Sequence, residues 1–228
     1  MMSSPAPHFV VAIDGPAGAG KSTVARALAT RLGYTFLDTG ALYRTVALVA
    51  QSKQIPWDDG VRLGALAKTL EIIFVPDAQR TRILADARDV TDEIREAEIS
   101  EGASRVSASP EVRAGLLDMQ RRVAAQANVV AEGRDIGTVV FPSAQAKFFL
   151  TANLETRAER RTLELQAAGR PAVLAEVLGE MRARDARDSG RAVAPLRRAE
   201  DAVEIDSSRA TPDEVIERMM AVVRAHGG

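Results

Sequence analysis

The stretch Val10–Leu28, "VVAIDGPAGAGKSTVARAL", decides the fold of this chain. It begins inside a short apolar run, "HFVVAID" (residues 8–14), which is rich in β-forming residues and ends at a glycine turn, so it predicts a buried strand. Beyond the turn, Val24, Leu28 and Leu32 recur at helical spacing and predict a helix over "KSTVARALATRL". A strand, a glycine-rich turn and a helix in this order are typical of an α/β fold.

The turn itself, "GPAGAGKS", matches the phosphate-binding pattern G-x-x-x-x-G-K-[ST] in the context that the pattern needs. Glycines let the backbone wrap closely around phosphate, and the following helix N-terminus adds free N–H donors. We expect Lys21 to bridge the β- and γ-phosphates of ATP and Ser22 to bind Mg²⁺ through its hydroxyl. The alternative is a glycine turn that matches by chance. The residues expected to bind ATP here are Gly15, Pro16, Ala17, Gly18, Ala19, Gly20, Lys21, Ser22 and Thr23.

The rest of the chain alternates short apolar strands with helical stretches, which predicts a parallel sheet covered by helices. Further strands are predicted at "YTFLD", "NVVAEG", "AKFFLTA" and "DAVEIDS", and helices at "GALYRTVALVAQS" and after a capping box at Thr211, Pro212 and Glu214. The segment "LEIIFV", "PDAQ", "RTRILADARDV" predicts two antiparallel strands around a turn. The predicted fold is therefore a three-layer α/β/α arrangement with a five-stranded parallel sheet, a small antiparallel insert and a helical lid.

Composition excludes several classes of protein. The formal net charge is −1, which argues against a general nucleic-acid-binding protein. The absence of cysteine excludes disulfides and thiolate sites. The start "MMSSPAPHF" lacks the pattern of a signal peptide, and no apolar run approaches the ~18 residues that span a bilayer. We expect a cytoplasmic monomer with no membrane or nucleic-acid partner, and a flexible end at residues 1–7.

The stretch "RARDARDSGR", residues 182–191, concentrates four arginines and two aspartates. Pairing within a helix would account for Arg182 and Asp185, and such pairs contribute only a few tenths of a kcal/mol each. It leaves an excess of arginine on one helical face. A transferring phosphoryl group would supply the missing negative charge, because arginine binds phosphate bidentately. We expect this helix to act as a lid. The residues that share the face at i, i+3, i+4 and i+7 are Arg184, Arg187, Asp188 and Arg191.

Other polar residues follow predicted strands or lie in loops, and ligands of open α/β sheets bind beyond the carboxyl ends of the strands. A single surface arginine is more often a solvated charge. The shared position of these residues beside a phosphate loop favours a site for a second, anionic substrate. They are Thr39 and Arg44 in "LDTGALYR", Ser104 and Arg113 in "SRVSASPEVR", and Arg134 and Asp135 in "EGRDIG".

The stretches "IDGPAGAGKST", "LDTGALYR", "GRDIGTVVFP" and "RDARDSGRAVAPL", in this order, resemble the bacterial-type cytidylate kinases. The resemblance runs from about Val10 to about Ser207. It implies phosphorylation of CMP and dCMP to their diphosphates by MgATP. It also implies a core (residues 8–66, 100–154 and 192–228), an insert that binds the nucleoside monophosphate (about 67–99) and a lid (about 155–191).

The resemblance implies a role for each matching residue. The phosphate of CMP would be held by Arg44, Arg134 and Arg191, and catalysis would rest on Lys21, Arg134 and Arg191. Cytosine would be recognised by Thr39, Ser104, Arg113 and Asp135. The pentose would be bound by Arg184 and Asp188, and the ATP side of the lid would include Arg157 and Arg161. An aspartate suits cytosine because it accepts from N4–H, whereas uracil has a carbonyl there.

The chain departs from the family pattern at two positions. Thr39 replaces a frequent serine and retains the hydroxyl. Glu132 replaces a frequent aspartate, which leaves its role around Mg²⁺ open, and the role of Asp14 is also open.

Three alternatives remain. One is a kinase of the same kind acting on AMP, dTMP or shikimate. Another is a nucleotide switch with slow, acceptor-independent turnover. The third, an RNA-binding module, fits poorly with 4% aromatic residues. A GTPase would need an N-K-x-D motif to recognise guanine, and the sequence lacks this motif.

Overall fold

The structure, a computed structural model, describes residues 8–75 and 81–228. Its strands are β1 (Val10–Asp14), β2 (Thr35–Asp38), β3 (Ile72–Val75), β4 (Arg82–Ala85), β5 (Arg88–Asp89), β6 (Val129–Gly133), β7 (Ala146–Thr151) and β8 (Val203–Asp206). Its α-helices are α1 (Lys21–Leu32), α2 (Thr39–Ser52), α3 (Gly60–Thr69), α4 (Ala97–Val106), α5 (Pro110–Ala124), α6 (Leu154–Ala167), α7 (Leu174–Gly190) and α8 (Pro212–Ala225). A 3₁₀ turn covers Glu93–Arg95, and a π-helical turn covers Ile136–Val140.

The predicted five-stranded parallel sheet is confirmed, in the order β2-β6-β1-β7-β8. Strand β1 is central, and all five of its residues are buried, as are those of β6. Burial on both faces is typical of a parallel sheet covered by helices. In the register, Asp14 lies opposite Gly133 on one side and Phe149 on the other. The last residue of β1 is therefore level with the last residue of β6, and the segments that leave these two strands start side by side.

The described residues form two compact units. The first contains the residues up to Leu37 and from Arg121 onward. Its core packs α1 and α8 against the sheet around Ile13, Leu28 and Phe148. The capping box that opens α8 is confirmed, because Glu214 N donates to Thr211 Oγ1 and Thr211 N donates to Glu214 Oε2.

The second unit contains the described residues from Asp38 to Gln120. Its core is a cluster of apolar side chains from α2 to α5 and from the small sheet, which includes Leu63, Ile83 and Leu116. This unit is larger than the insert expected at residues 67–99, since helices α2 to α5 share one core with the small sheet. The division of the chain into core, insert and lid stays a prediction.

The predicted pair of antiparallel strands was incomplete, because the small sheet has three strands in the order β3-β4-β5. The segment predicted as one strand, "RTRILADARDV", folds back at Asp86 and Ala87, whose φ angles are 46° and 66°. Two central residues with positive φ give a hairpin turn that normally contains Asn-Gly or Asp-Gly, and the sequence Asp-Ala lacks this signal. The predicted turn "PDAQ" and the expected flexible end at residues 1–7 lie outside the described residues.

No helix in the described part of the chain is long and apolar enough to cross a membrane.

The hairpin turn generates a prediction about stability. Ala87→Gly should raise the free energy of unfolding by about 0.5–1 kcal/mol, because a left-handed alanine costs about 1–2 kcal/mol and the extra entropy of glycine offsets only part of this. Denaturant unfolding measures the change. As a control, Ala221→Gly on the exposed side of α8 should lower stability by about 1 kcal/mol. A loss of stability in Ala87→Gly would contradict the assigned turn.

Candidate active site

The predicted phosphate loop leaves the carboxyl end of the central strand β1. It passes so close to β7 that a Cβ atom on Gly15 would lie 1.9 Å from the carbonyl oxygen of Leu150. Gly15 also has a φ of 149°, which side chains rarely allow. The loop ends at Gly20, in the left-handed conformation, and α1 begins at Lys21. The path of the loop therefore depends on glycine at its first position.

Three carbonyl groups of the loop are held by side chains. Lys21 Nζ donates to Pro16 O at 2.7 Å, Arg157 donates to Ala17 O at 3.1 Å, and Ser207 Oγ donates to Ala19 O at 3.1 Å. With the carbonyls engaged, the backbone N–H groups of the loop and the first turn of α1 remain the donors for an anion. This is the chemistry of a phosphate-binding loop.

Lys21 is buried among charged side chains of both signs. Burial, followed by the positive charge of Arg134, lowers the pKa of the Lys21 ammonium to about 7. The negative charge of Glu132, a buried residue of β6, partly opposes this shift and so lies near the ammonium. A bound polyphosphate would add negative charge next to Lys21 and would raise its pKa.

Arg134 follows β6 and contacts helix α7 at Asp188. Its Nε donates to Asp188 Oδ2 at 2.9 Å. Burial raises the pKa of Asp188, but the charges of Arg134, Arg184 and Arg191 outweigh burial, so the net pKa lies below its usual range. Asp188 therefore stays ionised and partly neutralises three arginines. The structure thus brings together four of the residues predicted to bind substrate.

The predicted helical face of "RARDARDSGR" is partly wrong. Helix α7 ends at Gly190, and Arg191 has extended backbone angles (φ −60°, ψ 136°), so it lies beyond the helix. The chain turns back there because Leu196 N donates to Asp188 O at 2.8 Å. Arg191 is nonetheless buried, and its Nε donates to the same carbonyl at 3.3 Å. Arg187, which was predicted on the shared face, is exposed.

Asp185 also differs from the expectation of pairing within its own helix. Its Oδ2 accepts a hydrogen bond of 2.7 Å from Arg157, which lies on α6. Arg157 is buried and further donates to Ala152 O at 2.9 Å, in addition to Ala17 O in the phosphate loop. Arg161, the other residue expected on the ATP side, is half-buried and pairs with Glu164 at 3.2 Å. Arg157 thus connects α7 to the loop.

Asp14, whose role the sequence left open, is 3% exposed and accepts two backbone hydrogen bonds. Ile136 N donates to Oδ1 at 2.7 Å, and Gly137 N donates to Oδ2 at 2.8 Å. Burial raises the pKa of Asp14 to about 6, although the two amide hydrogen bonds oppose this rise. The amides begin the π-helical turn that directly follows Arg134 and the buried Asp135.

In the second unit, Asp38 organises the start of α2. Its Oδ1 accepts from Ala41 N at 2.9 Å, which caps the helix, and its Oδ2 accepts from Arg44 at 2.8 Å. Thr39, the first helical residue, is buried. Within the described residues, the buried Nε of Arg44 has no hydrogen-bond partner. Arg44 is thus oriented by Asp38.

The remaining residues expected to recognise a base also lie in this unit. Arg113 on α5 is buried, donates to Ser107 O at 3.2 Å, and lies over the Tyr43 ring at 5.5 Å from its centroid. Ser104 is buried on α4, and its carbonyl accepts from Ser107 Oγ at 3.0 Å. The cation–π contact with Tyr43 and the hydrogen bond to Ser107 O both help to position the guanidinium of Arg113.

Sequence reasoning missed the supporting residues Asp38, Tyr43 and Ser207, and it gave Asp185 the wrong partner. Asp38 had a usable signal, because an aspartate directly before a predicted helix is a typical N-cap. The others act across long sequence separations, such as the 188 residues between Ser207 and Ala19, and carry no local pattern.

The donor set fits a magnesium ion that is bound together with a nucleotide. Ser22 is exposed at the start of α1, so its hydroxyl is accessible. The described residues contain no group of three acidic or histidine side chains that could hold a metal by themselves. Mg²⁺ usually keeps several waters and takes one or two protein oxygens plus substrate phosphates.

The class of protein that this fold and this site define is the α/β P-loop nucleotide-binding proteins. The loop lies at the carboxyl end of the central strand, and a buried cationic cluster lies in the same unit.

Comparison with known proteins places the chain more closely. The family model for cytidylate kinase matches residues 11–225, and the chain belongs to this family. A cytidylate kinase of Geobacter sulfurreducens is 51% identical over 216 residues, which cover 95% of this chain and 93% of the relative. A cytidylate kinase of Pasteurella multocida is 45% identical over 218 residues, with 96% of each chain covered. The resemblance seen in the sequence is therefore confirmed.

The tight passage at Gly15 generates a prediction. Gly15→Ala should abolish ATP binding or prevent folding, because the new methyl group would overlap a backbone carbonyl that cannot move aside. Binding of a fluorescent ATP analogue and thermal unfolding measure the effect. As a control, Gly179→Ala on the exposed side of α7 has open space around it, and should keep ATP affinity and raise helix stability by up to about 1 kcal/mol. Normal ATP affinity in Gly15→Ala would contradict the described loop.

The pKa of Lys21 generates a second prediction. Binding of MgATP at pH 8 should take up about one proton, because the free protein holds Lys21 mostly neutral and the phosphates recharge it. The uptake should vanish toward pH 6, where Lys21 is already charged, and affinity should fall as the pH rises through 7. Calorimetry in buffers of different ionisation enthalpy measures this uptake. The control is Lys53→Met, which removes a surface lysine and should leave the proton uptake unchanged. No uptake at pH 8 would contradict the lowered pKa.

Proposed function

We propose that this chain transfers the γ-phosphate of MgATP to CMP or dCMP and forms CDP or dCDP. The observation that carries the proposal is the buried cationic cluster of Lys21, Arg134 and Arg191 in a chain of the cytidylate kinase family. Lys21 and Arg191 are buried, and Arg134 is largely buried. Because water is mostly excluded from this site, the interactions of these cations with a bound anion are strong. We further propose that the protein acts as a monomer in the cytoplasm.

On the donor side, the loop amides and Lys21 would bind the phosphates of ATP. Lys21 would exchange its contact with Pro16 O for the β- and γ-phosphates. Ser22 would hold Mg²⁺, which neutralises charge on these phosphates when it is bound. Arg161 would contribute on the ATP side, and Arg157 would act on ATP through the carbonyl of Ala17 and hence through the shape of the loop.

On the acceptor side, Arg44, Arg134 and Arg191 would hold the phosphate of CMP. An oxygen of this phosphate attacks the γ-phosphorus, the bond between the γ-phosphorus and the bridging oxygen breaks, and ADP leaves. The attacking oxygen is already anionic, so no general base is needed. Positioning and charge stabilisation then carry the catalysis. Arginine at the transferring group stabilises the charge that spreads over its oxygens in the transition state.

The remaining polar residues would select the nucleoside. Asp135 would accept from the N4 amino group of cytosine, and Arg113 would donate to its O2 and N3 acceptors. Thr39 and Ser104 would complete the recognition of the base. The pentose would be bound by Arg184 and Asp188.

The experiment that tests this function measures ADP production from MgATP with CMP, dCMP, UMP, AMP, dTMP and shikimate as acceptors. The proposal expects fast turnover only with CMP and dCMP. Fast turnover with a different acceptor would overturn the proposed base recognition. Slow hydrolysis that is independent of the acceptor would favour a nucleotide switch.

The proposed role of Arg191 generates a prediction. Arg191→Ala should lower kcat by about 10³-fold or more, because a cationic group at the transferring phosphoryl can supply several kcal/mol. The fold should persist, since Arg191 lies beyond the end of α7. Steady-state kinetics and circular dichroism check both points. The control is Arg198→Ala, which removes an exposed ion pair to Glu204 and should leave kcat unchanged. A near-normal kcat in Arg191→Ala would remove it from the transfer step.

A further inference from the structure

Asp14 holds the turn that follows β6 by two hydrogen bonds. Each carboxylate oxygen accepts one hydrogen bond from a backbone amide, from Ile136 N at 2.7 Å and from Gly137 N at 2.8 Å. The two amides are successive, so the carboxylate binds the backbone in a bidentate way. Hydrogen bonds to an ionised acceptor are among the strong ones in proteins.

The bonded amides belong to the first residues of the π-helical turn Ile136–Val140. The first N–H groups of any helical turn have no partner within the turn itself. Asp14 supplies the acceptors for two of them. The later amides, of Val139 and Val140, donate instead to the carbonyl of Asp135.

The turn is packed tightly on the side of Asp14. A Cβ atom on Gly137 would lie 3.2 Å from the Lys147 side chain and 3.4 Å from Asp14 Oδ2. The Lys147 ammonium is fixed by Pro142 O at 2.6 Å and by Asp201. The backbone next to Arg134 and Asp135 therefore has little freedom while Asp14 holds it.

The charge on Asp14 is retained at a cost. The side chain is 3% exposed, and burial of a carboxylate destabilises its ionised form, which is why its pKa is raised. Charges of both signs act on Asp14, since Asp135 raises its pKa and Lys21 lowers it. A buried carboxylate whose two oxygens both bind one backbone turn indicates that the position of this turn matters.

We infer that Asp14 is a positioning residue of the acceptor site, which fixes the turn after β6 and so sets the positions of Arg134 and Asp135. This inference rests on the proposed function, because the roles of these two residues are part of it. Asp14 itself touches no substrate. It acts through the backbone, on the side of CMP rather than on the side of ATP.

The test compares Asp14→Asn with the wild-type enzyme. Asparagine has nearly the same volume as aspartate. Its NH₂ group would face one of the two backbone N–H donors, and that hydrogen bond would be lost. The KM for CMP should rise about 10-fold or more, as expected for the loss of a charged hydrogen bond. The preference for CMP over UMP should fall, because Asp135 is the residue proposed to accept from the cytosine amino group, while the KM for ATP should change less than about 2-fold.

Two further variants sharpen the test. Gly137→Ala retains Asp14 but adds a methyl group 3.2 Å from the Lys147 side chain and 3.4 Å from Asp14 Oδ2, so it crowds the same contact and should lower the CMP preference in the same direction. Asp206→Asn is the control, because Asp206 also ends a strand and accepts from the Ser208 amide at 2.8 Å, but is exposed. It should leave both KM values and the preference unchanged.

Three results separate the possibilities. A wild-type enzyme that fails to phosphorylate CMP overturns the proposed function. A wild-type enzyme with CMP activity, together with an Asp14→Asn variant that is less stable but keeps the wild-type KM and preference, overturns only the positioning role. A raised KM for ATP with unchanged CMP preference also overturns it, because Asp14 would then act on the phosphate loop.

Discussion

Buried charges of the same sign repel one another, and the first unit of this chain buries several cations in one place. The effect is seen at Lys21, whose pKa is lowered to about 7 by burial and by the charge of Arg134. Such a cluster is costly in an empty protein and becomes favourable when polyphosphate binds. The stability of the site is therefore exchanged for affinity, as is common at active sites.

Aspartates partly compensate the positive charge of the cluster, and each one positions a different part of the site. Asp188 partly neutralises the arginines at the end of α7, and Asp185 pairs with Arg157, which in turn holds the phosphate loop. Asp14 binds the turn that follows β6. Since the carboxylates come from β1 and α7, the central strand and helix α7 both contribute to the same cluster. This arrangement preorganises donors before substrate arrives, which is the main source of catalysis in phosphoryl transfer.

Local patterns predicted what is local in this fold. The phosphate loop, the five parallel strands and the capping box of α8 follow from contiguous motifs and periodicities, and the structure confirms them. The hairpin turn at Ala87 was missed because its residue types contradict the usual turn preference. Arg191 was placed on a helix because its spacing fits, but a hydrogen bond between Leu196 and Asp188 ends the helix earlier. Long-range pairs such as Arg134 with Asp188, which are 54 residues apart, leave no signal in a single sequence.

The central claim is that one cationic cluster serves a phosphate donor and a cytidine phosphate acceptor together. The most direct test is calorimetric binding of a bisubstrate analogue in which adenosine and cytidine are joined by a polyphosphate chain. A single molecule that fills both sites avoids most of the entropy cost of a second binding event. The claim predicts one site per chain and an affinity at least about 100-fold above that of the analogue with two adenosines. Equal affinity for the two analogues, or no binding of either, would contradict it.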